Sequence, residues 1–286
     1  MKQTYRQIHA TPKPFVKWAG GKRQLISILN ENLPKTFGTY YEPFLGGGAL
    51  LFHILTEKNG PKCSISDLNS DLVLAYTTIR DRVDELISSL KSHEKNYQKD
   101  SKSYYYSVRD TNPRSEIEKT SRLIFLNRTC FNGLYRVNLK GKFNVPLGKY
   151  TNPNIVNEEN LHSVSTILQS SRVSIKCRDF EAVLRDAKKG DLVYFDPPYQ
   201  PVSETANFTS YTNKNFTFDD LSRLVELCMK LDSKGCKVLL SNSDSKQVSD
   251  MFAKKPWKVS KIQANRSINS NSKKRTGHFE LLIKNY

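Results

Sequence analysis

Residues 191–201 read DLVYFDPPYQP. An apolar run of strand type leads into an acid, two prolines and a tyrosine. Asp196 offers oxygens that accept hydrogen bonds. The ring of Pro197 holds its φ, so its carbonyl is stiffly aimed, and Pro198 stiffens the turn that follows. Tyr199 offers a flat face. An exocyclic amino group on a nucleic-acid base is a poor nucleophile, because its lone pair is delocalised into the ring. With one amino hydrogen on Asp196 and the other on the Pro197 carbonyl, the nitrogen becomes more pyramidal and its lone pair can point at an electrophile. Tyr199 can stack on the base. The contribution is positioning together with electrostatic preorganisation. A base paired inside a duplex cannot reach such a corner and must be flipped out. D-P-P is also good turn chemistry, but ligands of open α/β sheets sit beyond the carboxyl ends of strands, and this tetrad follows LVYF at such an end.

Two glycine turns carry a second kind of chemistry. In YYEPFLGGGAL (40–50) the glycines allow a tight turn and a close approach to a ligand. Gly46 and Gly48 form G-x-G, but Leu51 stands where a dinucleotide fold has its third glycine, and no G-K-[ST] makes a P-loop. Asp67 follows Gly48 by 19 residues and closes the next strand, where an acid can hold ribose hydroxyls. The pair suits a nucleoside-containing cofactor; an αβ turn followed by a helix-capping Asp is the plainer alternative. In FVKWAGGKRQL (15–25), Trp18 could pack on a cofactor and Lys22 could reach a carboxylate, unless the segment is only a structural turn.

Such residues need a frame. Strands are expected at 39–44, 62–66, 172–177, 191–195, 237–241, 257–263 and 278–285, and helices at 21–32, 49–58, 70–91, 115–128, 158–170, 180–187, 218–234 and 245–253. Several strands are apolar on both faces, as a mostly parallel, helix-covered sheet requires. The alternation implies a doubly wound α/β fold. Between 75 and 165 no strong buried strand occurs, and FNGLYRVNLKGKFNVPLGKY (131–150) carries a turn signal between two β-type runs. The expected organisation is a catalytic domain, 1–74 and 166–286, with an inserted subdomain at 75–165 that carries a β-hairpin. ANRSINSNSKKRTGH (264–278) reads as a basic loop.

Composition narrows the partners. Lys and Arg number 45 against 28 Asp and Glu, a net charge of +17. Such a surplus weakens a compact chain by self-repulsion, which a polyanionic partner such as nucleic acid would relieve. The five cysteines cannot all pair and no C-x-x-C occurs, arguing for a reducing compartment and against structural zinc. The first fifteen residues have no apolar core of a signal peptide, and no apolar run approaches the ~20 residues of a membrane span. The expected location is the cytoplasm or nucleoid, with no metal and no membrane partner.

The segments KWAGGK (17–22), EPFLGGGAL (42–50), SDLN (66–69) and DPPY (196–199) occur in the order seen in the Dam-type, α-group DNA adenine-N6 methyltransferases, which the chain resembles over nearly its whole length. FNGLYRVN…FNVPLGKY and SETANFTSY (203–211) are similar to the DpnII-type subgroup that acts on duplex GATC. The resemblance implies a Rossmann-like methyltransferase fold with S-adenosylmethionine as donor. It places Trp18, Lys22, Phe44, Gly46, Gly48, Asp67, Asp179, Phe180 and Asp196 at the cofactor. Asp196, Pro197, Pro198 and Tyr199 would hold a flipped adenine. Lys17, Asn132, Leu134, Arg136, Asn138, Pro146 and Tyr150 would meet double-stranded DNA. A restriction endonuclease acting on the same site would be a functional partner.

The residues agree with this on their own chemistry. Arg136 and Asn138 are two apart and share one face of a strand; Arg suits guanine O6/N7 and Asn suits adenine N6/N7. Lys140, Lys142, Lys149 and KKR (273–275) suit phosphates. The expected reaction is direct attack of N6 on the sulfonium methyl. A cytosine-C5 enzyme would need a nucleophilic cysteine in a Pro-Cys pair, which is absent. An amino methyltransferase acting on cytosine N4 or RNA, a catalytically silent DNA-binding protein and, remotely, a nicotinamide oxidoreductase are the alternatives.

Overall fold

The computed structural model describes residues 11–18, 20–57, 60–138, 140–169, 172–199, 216–264 and 278–286. SETANFTSY, KKR (273–275) and nearly all of the expected basic loop lie outside them. Among the described residues the strands are β1 (Tyr40–Glu42), β2 (Cys63–Asp67), β3 (Val173–Cys177), β4 (Leu192–Phe195), β5 (Lys237–Ser243), β6 (Lys258–Ala264) and β7 (His278–Lys284). They form one sheet in the order β3-β2-β1-β4-β5-β7-β6. The five strands from β3 to β5 pair in parallel, and β7 runs antiparallel to both β5 and β6. The expected mostly parallel α/β sheet is thus observed. β1, β4 and most of β5 are buried on both faces, the property that makes such strands read as continuous apolar runs. The strand order reverses between β1 and β4, the kind of point where open α/β sheets bind ligands. The glycine turn follows β1 and the DPPY tetrad follows β4, so both open there.

The helices are α1 (Ile26–Asn32), α2 (Ala49–Glu57), α3 (Ser70–Asp81), α4 (Val83–Lys99), α5 (Ser101–Asp110), α6 (Glu116–Thr129), α7 (Glu158–Leu168), α8 (Val183–Asp186), α9 (Phe218–Ser233) and α10 (Lys246–Met251). Three expectations need correction. The single helix at 70–91 is two, broken at Arg82, which leaves helical geometry at φ −141°, ψ 43° and is held by Glu85 through Nε–Oε1 at 2.8 Å. The expected helix at 21–32 opens with a 3₁₀ turn over Lys22–Leu25. α5 was not foreseen: SKSYYYSVRD has three β-favouring tyrosines, but Asp100 caps it through Ser103 N and Tyr105 is fully buried. One continuous core joins sheet residues such as Tyr40, Ile65, Leu192 and Leu282 to Tyr76, Leu86, Tyr105 and Phe125 of the helices between β2 and β3.

Candidate active site

Asp196 and Tyr199 leave the end of β4 in irregular backbone, with Pro197 buried between them and Pro198 exposed. The buried Lys22, from the first glycine turn, ion-pairs Asp196 Oδ1 at 2.8 Å. Its Nζ also donates to the Gly20 carbonyl at 3.0 Å and lies 4.7 Å from the centre of the Tyr199 ring. Residues 174 positions apart therefore meet, because the turn and the β4 end share the switch point. Burial pushes the Asp196 carboxyl up to about 6, against the pull of Lys22, with Glu280 adding to the rise. A site aimed at a cation or at amino hydrogens wants such a desolvated, strongly accepting carboxylate. Glu280 of β7 is the residue that sequence reasoning missed. It is buried, accepts a hydrogen bond from the Tyr199 hydroxyl at 2.9 Å and stands 3.5 Å from Lys22 Nζ. Its only sequence signal is an acid at the head of an apolar run.

The second glycine turn is shaped by sterics. Gly46 and Gly48 adopt φ of +51° and +69°. A Cβ at Gly48 would stand 2.5 Å from the Tyr76 hydroxyl, and one at Gly46 would stand 3.1 Å from the Trp18 ring. Asp67 is no helix cap, since Asn69 caps α3 through Leu72 N. Its carboxylate accepts instead from Gly46 N and Asn69 N, each at 2.9 Å. Two backbone donors fix the carboxylate and leave its remaining lone pairs for a ligand. Burial raises the Asp67 carboxyl and the backbone donors lower it. Leu68, beside it, is 54% exposed, an apolar shelf at the strand end. Across the switch point Phe44 stacks on Phe180 at 5.2 Å. Asp179 caps the turn that holds Phe180 and pairs with Arg223 of α9 at 3.1 Å.

The segment 131–150 is a looser structure than the expected hairpin. It makes two isolated antiparallel bridges, Cys130 with Leu147 and Val137 with Phe143. A 3₁₀ turn over Phe131–Gly133, with Asn132 at φ +55°, interrupts the ladder. Alternation still holds: Tyr135 is buried, Leu134 and Arg136 are half-buried, and Asn138 and Pro146 are exposed. Arg136 donates to Asn144 Oδ1 at 2.8 Å. Asn138 closes the turn by accepting from Lys140 N and Lys142 N, each at 3.0 Å. The exposed Lys17 reaches the Tyr150 hydroxyl at 3.4 Å. Phe131, 41% exposed, holds an aromatic ring to solvent beside Asn132. The segment is tied to the rest by Asn127, fully buried, which bonds Lys17 N and O and the Gly133 carbonyl at 2.7–2.9 Å. Trp18 packs on Tyr135 at 5.1 Å. Thus the first glycine turn and segment 131–150 rest directly on each other.

A family model described as "D12 class N6 adenine-specific DNA methyltransferase" matches residues 18–268, which include Trp18 and Lys22, the second glycine turn, segment 131–150 and the DPPY corner. The chain belongs to this family. Among the relatives of this methyltransferase, the type II methyltransferase M.MjaIII of Methanocaldococcus jannaschii is 45% identical over 96% of the chain and 99% of its own length. The type II methyltransferase M1.LlaDCHI of Lactococcus lactis subsp. cremoris is 40% identical over 96% of the chain and 95% of its own length. The DNA adenine methylase of Escherichia coli K12 is 32% identical over 94% of each. The D12-class chain is an enzyme that methylates adenine N6 in DNA with S-adenosylmethionine as donor. No helix among its described residues is long and apolar enough to cross a membrane.

Proposed function

We propose that this methyltransferase modifies the adenine of GATC in double-stranded DNA, flipping the base into the corner formed by Asp196, Pro197, Pro198 and Tyr199. The observation that carries the reading is the meeting of Lys22, Asp196 and Tyr199 where the glycine turn and β4 both end. The residues fit the donor. Asp67, held by two backbone N–H groups, suits ribose hydroxyls, with Leu68 as an apolar support. Lys22 suits the donor's carboxylate, and Trp18 closes on Gly46, with Gly48 in the same turn. Phe44, Asp179 and Phe180 line the opposite side. Bound there, S-adenosylmethionine supplies an electrophilic methyl on a sulfonium centre. Asp196 and the Pro197 carbonyl accept the amino hydrogens, concentrating the lone pair on N6, and Tyr199 stacks on the base.

Target reading belongs to 131–150, within the 75–165 insert. Leu134 and Pro146 suit a thymine methyl, Arg136 suits guanine and Asn138 suits adenine. Asn132, Lys17 and Tyr150 border the same face. The exposed Phe131 ring suits insertion into the base stack opened by flipping. The two type II relatives make a partner endonuclease for the same sequence a reasonable companion. Methylation of a random-sequence duplex library, followed by mapping of modified bases, tests the reading. Modified adenine confined to GATC is expected; modified cytosine, another sequence or preference for RNA would overturn it.

A further inference from the structure

Glu280 is a buried acid that the reaction as described above does not use. It lies on β7 opposite Ser243 of β5 and Ile262 of β6, followed by the buried run Leu281, Leu282 and Ile283. Taking a carboxylate out of water is costly unless it is well paired. Its partners here are the Tyr199 hydroxyl at 2.9 Å and Lys22 Nζ at 3.5 Å. Among the described residues the Gly20 carbonyl, Asp196 and Glu280 stand around the Lys22 ammonium. Two carboxylates thus share one buried cation, and the tyrosine hydroxyl sits between them, 3.4 Å from Asp196 Oδ1.

We propose that Glu280 is a positioning residue for the methyl-transfer corner: it anchors the Tyr199 hydroxyl, fixing the ring that receives the base, and shares Lys22 with Asp196. This rests on the reading of Asp196 and Tyr199 as the adenine site. An unanchored tyrosine ring would swing about its χ1 and χ2 bonds, and a Lys22 without its second carboxylate would hold Asp196 Oδ1 more tightly still. The groups facing Asp196 are Lys22, Glu280 and Tyr199, with Tyr194 of β4 and Glu42 of β1 close enough to be felt electrostatically. Among these Glu280 raises the Asp196 carboxyl. Removing its charge therefore lowers the pH at which Asp196 ionises, an effect that a merely structural acid far from the corner would not have.

The test uses the full chain with a GATC duplex, comparing E280Q, E280A, Y199F, the E280A/Y199F double variant and D196A. E280A is expected to lower kcat roughly tenfold to a hundredfold, as a misplaced reacting group does, with DNA affinity retained. Its effect should shrink in the Y199F background, because both changes remove the same anchor, leaving only the part that acts through Lys22. E280Q keeps an oxygen acceptor for Tyr199. It should retain most of kcat at pH 8 while the acid limb of kcat/KM moves to lower pH. Where E280A fails to fold, E280Q carries the test through this pH profile. The proposal is overturned if E280Q has the wild-type acid limb, or if folded E280A transfers methyl groups at the wild-type rate. D196A separates the two levels: an active D196A sinks the adenine-site reading itself, whereas an inactive D196A beside unaltered Glu280 variants sinks only the role of Glu280.

Discussion

The DPPY corner and segment 131–150, the proposed reading segment, are built on opposite plans. In the corner the charged groups are desolvated and already joined: Lys22, Asp196, Tyr199 and Glu280 meet within 2.8–3.5 Å. In the reading segment the polar groups are held by their own neighbours. Arg136 rests on Asn144, and the Asn138 oxygen closes its own turn. A reacting group gains from being fixed before the substrate arrives, because reorganisation at the moment of reaction is avoided. A reading group gains from exchange: the right base replaces an internal partner, whereas the wrong base leaves a polar group unpaired. Under the proposed function, chemistry would be set by the fold and discrimination decided on contact.

Changes at the corner should strike rate, and changes in the reading segment should strike sequence preference. Asp196→Ala is the largest expected effect: methyl transfer falls by about 10²–10³-fold or more, while specific DNA binding, measured by titration with a GATC duplex, persists. Near wild-type turnover by the folded variant would end the assignment. Arg136→Ala should cost about 1–3 kcal/mol at a guanine position, seen as kcat/KM converging between GATC and its guanine variants. Equal losses on every site would make it a phosphate clamp, and the guanine reader would then be sought at Lys17.

Acidity separates the regions next. Asp196 accepts hydrogen bonds as a carboxylate, and its ionisation in the free enzyme lies at about 6. Activity at limiting cofactor should thus be full above that value and fall about tenfold per unit below it. An acid limb that stays flat to pH 5 would contradict this. Asp67→Ala should weaken cofactor binding by about 0.5–1.5 kcal/mol for each hydrogen bond lost, measured by calorimetry, leaving sequence preference alone. Smallest is Lys142→Ala, expected to weaken binding evenly on all sequences and reduce the salt slope by about 1. If the +17 chain neutralises about six phosphates, that slope starts near −5; a salt-independent affinity would assign the charge to something other than DNA.

Seven strands were legible in the sequence to within about two residues at most ends, because most are short apolar or β-branched runs whose neighbours along the chain include the turn residues that stop them. The glycine turns and the DPPY tetrad were legible for a related reason: backbone sterics and side-chain chemistry act over a few residues. Helix α5 was not, since its tyrosines favour strands and only burial of Tyr105 and the Asp100 cap override them. The break at Arg82 has no glycine or proline to announce it. Glu280 is the clearest case. Its partners lie 81 and 258 residues away, and they meet it only because β7 enters the sheet antiparallel beside β5. The pairing of Arg136 with Asn144 depends likewise on the register across the turn. Local periodicity determined which segments are strands and which residue types could do chemistry. Strand order and register, set by the packing of the whole core, decided which of those residues share a proton, a cation or a ring.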